Sequence, residues 1–172
     1  GPKLFDTEGR AYWDFYGGHA VALLGQGHPR WVEALTRQAR TLSFVSTLAP
    51  VPIRDQAIDA LCRFARADRA FLVNSGAEAN EGAVKLARKY GRLHRNGGQE
   101  IITVLNSFHG RTLAMAAATG QPAYQEKWAP LTPGFVNVPY DDLDAVKGAT
   151  NAGTCAVMVE VLQGEGGVNV PT

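Results

Sequence analysis

A short apolar run leading directly into a capped, long helical pattern constrains this chain most. Ala70-Phe71-Leu72-Val73 has the composition of a strand, and Asn74-Ser75-Gly76-Ala77-Glu78 carries it into the longest helical periodicity of the sequence. Ser75 and Glu78 have the S-x-x-E spacing of a capping box, in which each side chain satisfies a backbone N–H at the helix start. Ala79, Ala83, Leu86, Ala87 and Tyr90 then recur on one face of an amphipathic helix that runs to about His94. Gly76 has no Cβ, so a bound group can come close to the backbone. Strand, tight turn and capped helix together aim free N–H groups and the positive end of a helix dipole at one point, which suits an anion, most often a phosphate. The same residues equally describe an ordinary well-capped helix, so the local pattern leaves both readings open.

Downstream, strand and helix patterns alternate. Glu100–Leu105 is a continuous apolar strand of the kind buried in a parallel sheet. Thr112–Thr119 is an Ala-rich helix, Phe135–Val138 a strand, Asp141–Ala149 a helix with acidic residues in its first turn, and Cys155–Val161 a third buried strand ending in a Gly-rich loop. Gln121–Pro133 holds Pro122, Pro130 and Pro133 and is expected to be irregular. This alternation over 70–161 predicts an α/β unit with a mostly parallel sheet. Upstream, 3–15 reads as two short strands around a Gly9 turn. Pro29–Leu42 reads as a helix with Trp31, Val32, Leu35 and Ala39 near one face, and Ser43–Pro52 as a loop. A helix over Ile53–Ala67 would turn Ala57, Ile58, Leu61 and Phe64 inward.

With 172 residues, 45% hydrophobic and 19% charged, the chain is long enough for a core and ordinary for a soluble globular protein. A net charge of +1 argues against nucleic acid or an anionic membrane as partner. No apolar run reaches the roughly 18 residues of a spanning helix. Cys62 and Cys155 form no C-x-x-C pair and read as buried thiols of a cytoplasmic protein. His19, His28, His94 and His109 lack zinc-ligand spacing, so no metal is expected. Dinucleotide, Walker A and G-x-S-x-G patterns are absent.

Three ordered stretches resemble class III pyridoxal-phosphate aminotransferases, and within them the acetylornithine and ornithine aminotransferase group. The first is Asn74-Ser75-Gly76-Ala77-Glu78-Ala79-Asn80-Glu81 followed by Ala83-Val84-Lys85-Leu86-Ala87-Arg88. About thirty residues on comes Ser107-Phe108-His109-Gly110-Arg111-Thr112, and then Val159-Glu160-Val161-Leu162-Gln163-Gly164-Glu165-Gly166-Gly167-Val168. Lys3–Phe15 is similar to the family's N-terminal signature, and Phe15–Pro29 to a segment bordering its active site. His19 and Gln26 depart from the usual residues there, and Val161 stands where the family usually has Pro after Glu160.

The resemblance implies a fold type I transferase, with 1–50 an N-terminal segment and 51–172 the first part of the large cofactor-binding domain and its mostly parallel sheet. It implies pyridoxal 5'-phosphate as cofactor, with its phosphate on the N–H groups of Gly76 and Ala77 and on the Ser75 hydroxyl. Phe108 would stack on the pyridine ring. His109 would sit beside it or pack as a core histidine, and Glu160 would border the cofactor. Arg111 would bind the substrate carboxylate, as a guanidinium fork can, and Glu165 would pair with an Arg when no dicarboxylate is bound. Ser46 and Thr47 are minor candidates on a loop that approaches the partner subunit's site in the family. The family's Schiff-base lysine and the aspartate on the ring nitrogen are expected beyond Thr172, so residues 1–172 alone are expected not to turn over. The implied reaction moves an amino group from an acetylornithine- or ornithine-like ω-amino substrate to 2-oxoglutarate, in a homodimer of arginine biosynthesis. An aminomutase or racemase on the same fold, and a truncated non-catalytic protein, remain alternatives.

Overall fold

The computed structural model describes Gly1–Thr172, and the chain divides into two compact units, Gly1–Ala70 and Phe71–Thr172. In the first unit, β1 (Lys3–Phe5) and β2 (Ala11–Trp13) form an antiparallel ribbon that pairs Leu4 with Tyr12. Asp6 ties the turn between them. Its carboxylate accepts the backbone N–H of Glu8 and Arg10 and pairs with the Arg10 guanidinium at 2.8 Å, which holds the acid below its ordinary range. A single turn, α1 (Gly17–Ala20), has left-handed backbone at Gly18 and His19. Helices α2 (Pro29–Thr41) and α3 (Pro52–Ala65) both begin on a proline, whose missing N–H costs nothing at that position. The loop between them keeps Ser46 and Thr47 outside any helix or strand.

The second unit carries the core. Helix α4 (Gly76–His94) leads to β3 (Glu100–Val104), the centre of a three-stranded parallel sheet ordered β4-β3-β5, with β4 at Phe135–Val138 and β5 at Thr154–Val157. Between β3 and β4 lie α5 (Leu113–Ala118), the short α6 (Pro122–Gln125) and a 3-10 turn η1 (Glu126–Trp128), and α7 (Leu143–Ala149) links β4 to β5. Strand β3 is buried on both faces. Ile101 packs with Val84, Met115 and Ala118, while Ile102 and Val104 pack with Val138 against α7. Two-sided burial accounts for Ile101, Ile102 and Val104, and the buried Thr103 hydroxyl between them accepts a hydrogen bond from Asn137.

Four expectations need correction. Ala70–Val73 forms no strand: no strand of the sheet runs beside it, so it has no ladder to join, and Phe71 is 83% exposed. The third strand ends at Val157 and the chain leaves the sheet before Glu160. Gln121–Pro133 is not wholly irregular, because Pro122 opens α6 as its first helical residue. The inward face of α4 is also rotated from the one expected. Val84 and Gly91 are its buried residues, whereas Leu86 and Tyr90 are exposed. A close approach decides this: a Cβ on Gly91 would lie 1.9 Å from the Gly98 carbonyl oxygen and 2.6 Å from the Cys155 Cβ. No helix is long and apolar enough to cross a membrane.

Candidate functional site

The site is built where the chain leaves β3 and meets the start of α4. Ser75 caps α4, its Oγ accepting the Glu78 N–H at 3.2 Å. The box is only half of the expected one. The Glu78 carboxylate accepts the Ser75 hydroxyl at 3.2 Å and the Asn74 amide at 3.4 Å, not the Ser75 backbone N–H. The backbone N–H groups of Gly76 and Ala77 have no hydrogen-bond partner in the chain, and the space that a Gly76 Cβ would enter is open. Two free donors and a helix N-terminus 19 residues deep thus face open space.

The segment after β3 docks on this turn. Asn80 donates its side-chain amide to the His109 carbonyl at 2.8 Å. Gly110, at φ +134, lies so close that a Cβ there would be 2.8 Å from the Ala77 Cβ, a backbone conformation and an approach that glycine allows. The buried Ser107 Oγ accepts the Gly120 N–H at 3.0 Å, and the His109 N–H goes to the Thr119 hydroxyl at 3.0 Å. Residues 107–110 are therefore held from both sides, which fixes the backbone at Phe108 and just before Arg111. The Arg111 guanidinium lies 6.0 Å from the Phe108 ring centroid and makes no hydrogen bond or ion pair within the chain.

The loop after β5 supplies the carboxylates. Glu160 accepts the Phe108 N–H at 3.2 Å, and its pKa is raised, first by burial, with the negative charge of Glu165 adding to the effect. Glu165 accepts from Gln121 at 2.6 Å and from the Tyr124 hydroxyl at 3.3 Å. Gln163, fully buried, anchors the loop by donating to the Leu105 carbonyl at 2.7 Å and accepting from Asn169 at 2.9 Å. His109 is 5% exposed, its Nε2 has no partner, and burial lowers its pKa. It is a neutral imidazole at neutral pH.

Of the residues singled out from sequence, Ser75, Gly76, Ala77, Phe108, His109, Arg111, Glu160 and Glu165 all lie on these three connected segments. A cleft of about 450 Å³ under α4 is lined by Phe108, His109 and Glu160 together with Asn80, Val84 and Met158, among others. Ser75, Gly76, Ala77, Arg111 and Glu165 lie outside its lining. Sequence reasoning missed Asn80, Gln121, Tyr124 and Gln163 as organisers. Asn80 and Gln163 stand inside the quoted motifs, but Asn80 lies off the helix face that the periodicity picks out, so no local signal marked it. No group of His, Cys, Asp or Glu is placed to hold a metal ion.

Comparison with known proteins agrees with this arrangement. The Aminotransferase class-III family model matches residues 1–172. The chain belongs to the class III aminotransferase family. It is 50% identical over 169 residues to acetylornithine aminotransferase of Gloeobacter violaceus, covering 98% of this chain and 42% of that protein. To acetylornithine aminotransferase of Methanocaldococcus jannaschii it is 46% identical over 172 residues, covering 99% and 43%. The crystal structure of ornithine aminotransferase from Toxoplasma gondii superposes with a TM-score of 0.94 at 34% identity, covering all of this chain and 42% of that one. Another structure of that Toxoplasma enzyme shows partial occupancy of PLP at its active site. The chain thus spans about two fifths of the length of the relatives it matches, and its fold is that of the fold type I pyridoxal-phosphate transferases.

Proposed function

We propose that the protein carrying these residues is a pyridoxal-phosphate-dependent aminotransferase. Its substrates are an acetylornithine- or ornithine-like ω-amino donor and 2-oxoglutarate, and it works as a homodimer. The docking of 107–111 on the first turn of α4 carries this reading, because it joins two free backbone donors, an aromatic ring and an uncompensated guanidinium. The open space at Gly76 suits a phosphate group. Gly76 and Ala77 would donate their N–H groups to it, and the Ser75 hydroxyl would turn from Glu78 to join them. When bound, the cofactor supplies the electron sink for amino transfer.

The chain's own residues bind and orient. Phe108 offers a ring face whose position is set by the bond from its N–H to Glu160. Arg111 takes the substrate carboxylate in a two-pronged grip. His109 is kept neutral by burial and lines the cleft beside Phe108. Two free cysteines, Cys62 and Cys155, accord with the reducing cytoplasm.

In the full-length protein, amino transfer from acetylornithine or ornithine to 2-oxoglutarate is the expected activity. Racemisation or 1,2-amino migration without transfer to the keto acid would replace this reading with another pyridoxal reaction. Arg111→Lys keeps the charge and loses the fork. It should weaken amino-substrate binding by about 1.5–3 kcal/mol, the range for hydrogen bonds to charged groups, with cofactor affinity nearly unchanged. A wild-type substrate KM with reduced cofactor occupancy would assign Arg111 to the cofactor.

A further inference from the structure

Strands β4 and β5 flank β3 in parallel, so the chain leaves all three strands at one end of the sheet. In open α/β sheets, ligands bind outside these carboxyl ends, and it is there that Phe108 and Glu160 line the cleft. One side chain joins the loops after the two flanking strands. Tyr140, two residues past β4, donates its hydroxyl to the Val161 carbonyl at 2.9 Å.

The two ends of this bond are held very differently. The Tyr140 ring packs on the apolar cluster of Ile102, Val104 and Val138, so the hydroxyl stands on a fixed post. The segment after β5 is tied to the sheet by the Met158 N–H on the Ile102 carbonyl at 2.8 Å. Its next tie to the chain leaving β3 is the buried Gln163, which donates to the Leu105 carbonyl at 2.7 Å. Residues 159–162 cross between these anchors outside any helix or strand. Two adjacent residues of the crossing are gripped: Glu160 accepts the Phe108 N–H at 3.2 Å, and Val161 accepts the Tyr140 hydroxyl. A valine, unlike a proline, does not lock φ, so the Val161 backbone depends on outside contacts to hold it. Holding its carbonyl fixes the peptide that follows Glu160, and with it the direction in which the carboxylate leaves the chain. A hydrogen bond weakens steeply with misalignment, so a small swing of Glu160 loosens its grip on Phe108.

We infer that Tyr140 is a positioning residue. Through the Val161 carbonyl it aims the Glu160 carboxylate at the Phe108 N–H, and so it holds Phe108 in place for the cofactor ring. The consequence at the cofactor rests on the aminotransferase reading. The coupling of Tyr140 to Phe108 does not.

Y140F removes one hydroxyl and keeps the ring in its apolar cluster. Amide hydrogen exchange on the full-length protein, read residue by residue by mass spectrometry, compares the Phe108 N–H with those of Ile101–Val104 as an internal reference. Relative to that reference, E160A should speed exchange at Phe108 about tenfold and Y140F about threefold, the scale of a single hydrogen bond. The double variant should match E160A alone, because Tyr140 acts only through Glu160. Binding of pyridoxamine phosphate, which needs no bond to a lysine, should weaken about threefold in Y140F and show the same lack of additivity with E160A. A purely structural Tyr140 would loosen Ile101–Val104 together with Phe108 and leave the ratio unchanged. An unchanged ratio in Y140F, or additive effects in the double variant, would overturn the inference. Faster exchange at Phe108 with unaltered pyridoxamine phosphate affinity would overturn its consequence at the cofactor. If the wild type does not bind pyridoxamine phosphate, the aminotransferase reading itself fails, while the exchange ratio still decides the coupling.

Discussion

In Gly1–Ala70, helices α2 and α3 carry apolar stripes, and no residue of that unit is buried: Leu35 is 53% exposed, Phe44 85% and Phe64 89%. In Phe71–Thr172 helix α4 lies against a parallel sheet whose central strand has Ile101 and Ile102 at 1% and 0% exposure. Even α4 leaves Leu86 and Tyr90 exposed, and it is Val84 and Gly91 that it buries. The units differ in whether any helix face meets a second layer, because a helix buries a side only against another element. The predicted site residues follow the covered unit. Ser75, Phe108, Arg111, Glu160 and Glu165 all belong to Phe71–Thr172, where packing can hold them to fixed distances.

The largest expected difference between the units lies in their response to truncation. In this chain, Ile102→Ala should destabilise by about 2–5 kcal/mol, the range for emptying a packed core position, while Leu35→Ala should stay within about 0.5 kcal/mol. Chemical denaturation of both variants checks this, and comparable losses would erase the distinction. Gly110→Ala is next. Its Cβ would enter contact with Ala77 at a positive φ, and strain of this kind costs roughly 1–3 kcal/mol. It should also push 107–111 off α4 and weaken phosphate binding, and a variant of unchanged melting temperature and anion affinity would refute that docking.

The smallest effect concerns His109. Burial lowers its folded pKa below the ordinary 6.5. Between those two values the unfolded chain binds the additional proton. The stability that depends on neutral His109 is therefore present above about pH 6.5 and is lost as the pH falls toward the lowered folded pKa. His109→Gln should flatten this part of the stability profile between pH 7 and 5, and an unaltered slope would mean that another group carries it.

Much of the second unit was legible in the sequence because its signals are local. Ser75 at the cap marks a real helix start, and the helices expected from Thr112 and Asp141 begin at Leu113 and Leu143, just after the caps Thr112 and Asp142. The buried face of α4 was not legible, since it is chosen by the contact of Gly91 with Gly98, which no periodicity count contains. Ala70–Val73 reads as a strand by composition, but a strand exists only through its partner's hydrogen bonds. Phe108 and Arg111 could be recognised only through the motif around them, because a Phe after a strand and a lone Arg are individually commonplace. Gln121 and Tyr124 were hidden for the opposite reason: their neighbouring prolines suggested irregular chain, whereas Pro122 serves as the first residue of α6.

The central claim is that the start of α4 holds the phosphate of pyridoxal phosphate on the free N–H groups of Gly76 and Ala77. Spectroscopic titration of the full-length protein with pyridoxal phosphate, and with pyridoxal lacking the phosphate, tests it in wild type and Gly76→Val. The account predicts that the substitution weakens pyridoxal phosphate by about tenfold or more, the value of one hydrogen bond to a charged group, and leaves the weaker affinity for pyridoxal unchanged. A folded Gly76→Val protein that binds pyridoxal phosphate as tightly as the wild type would contradict it.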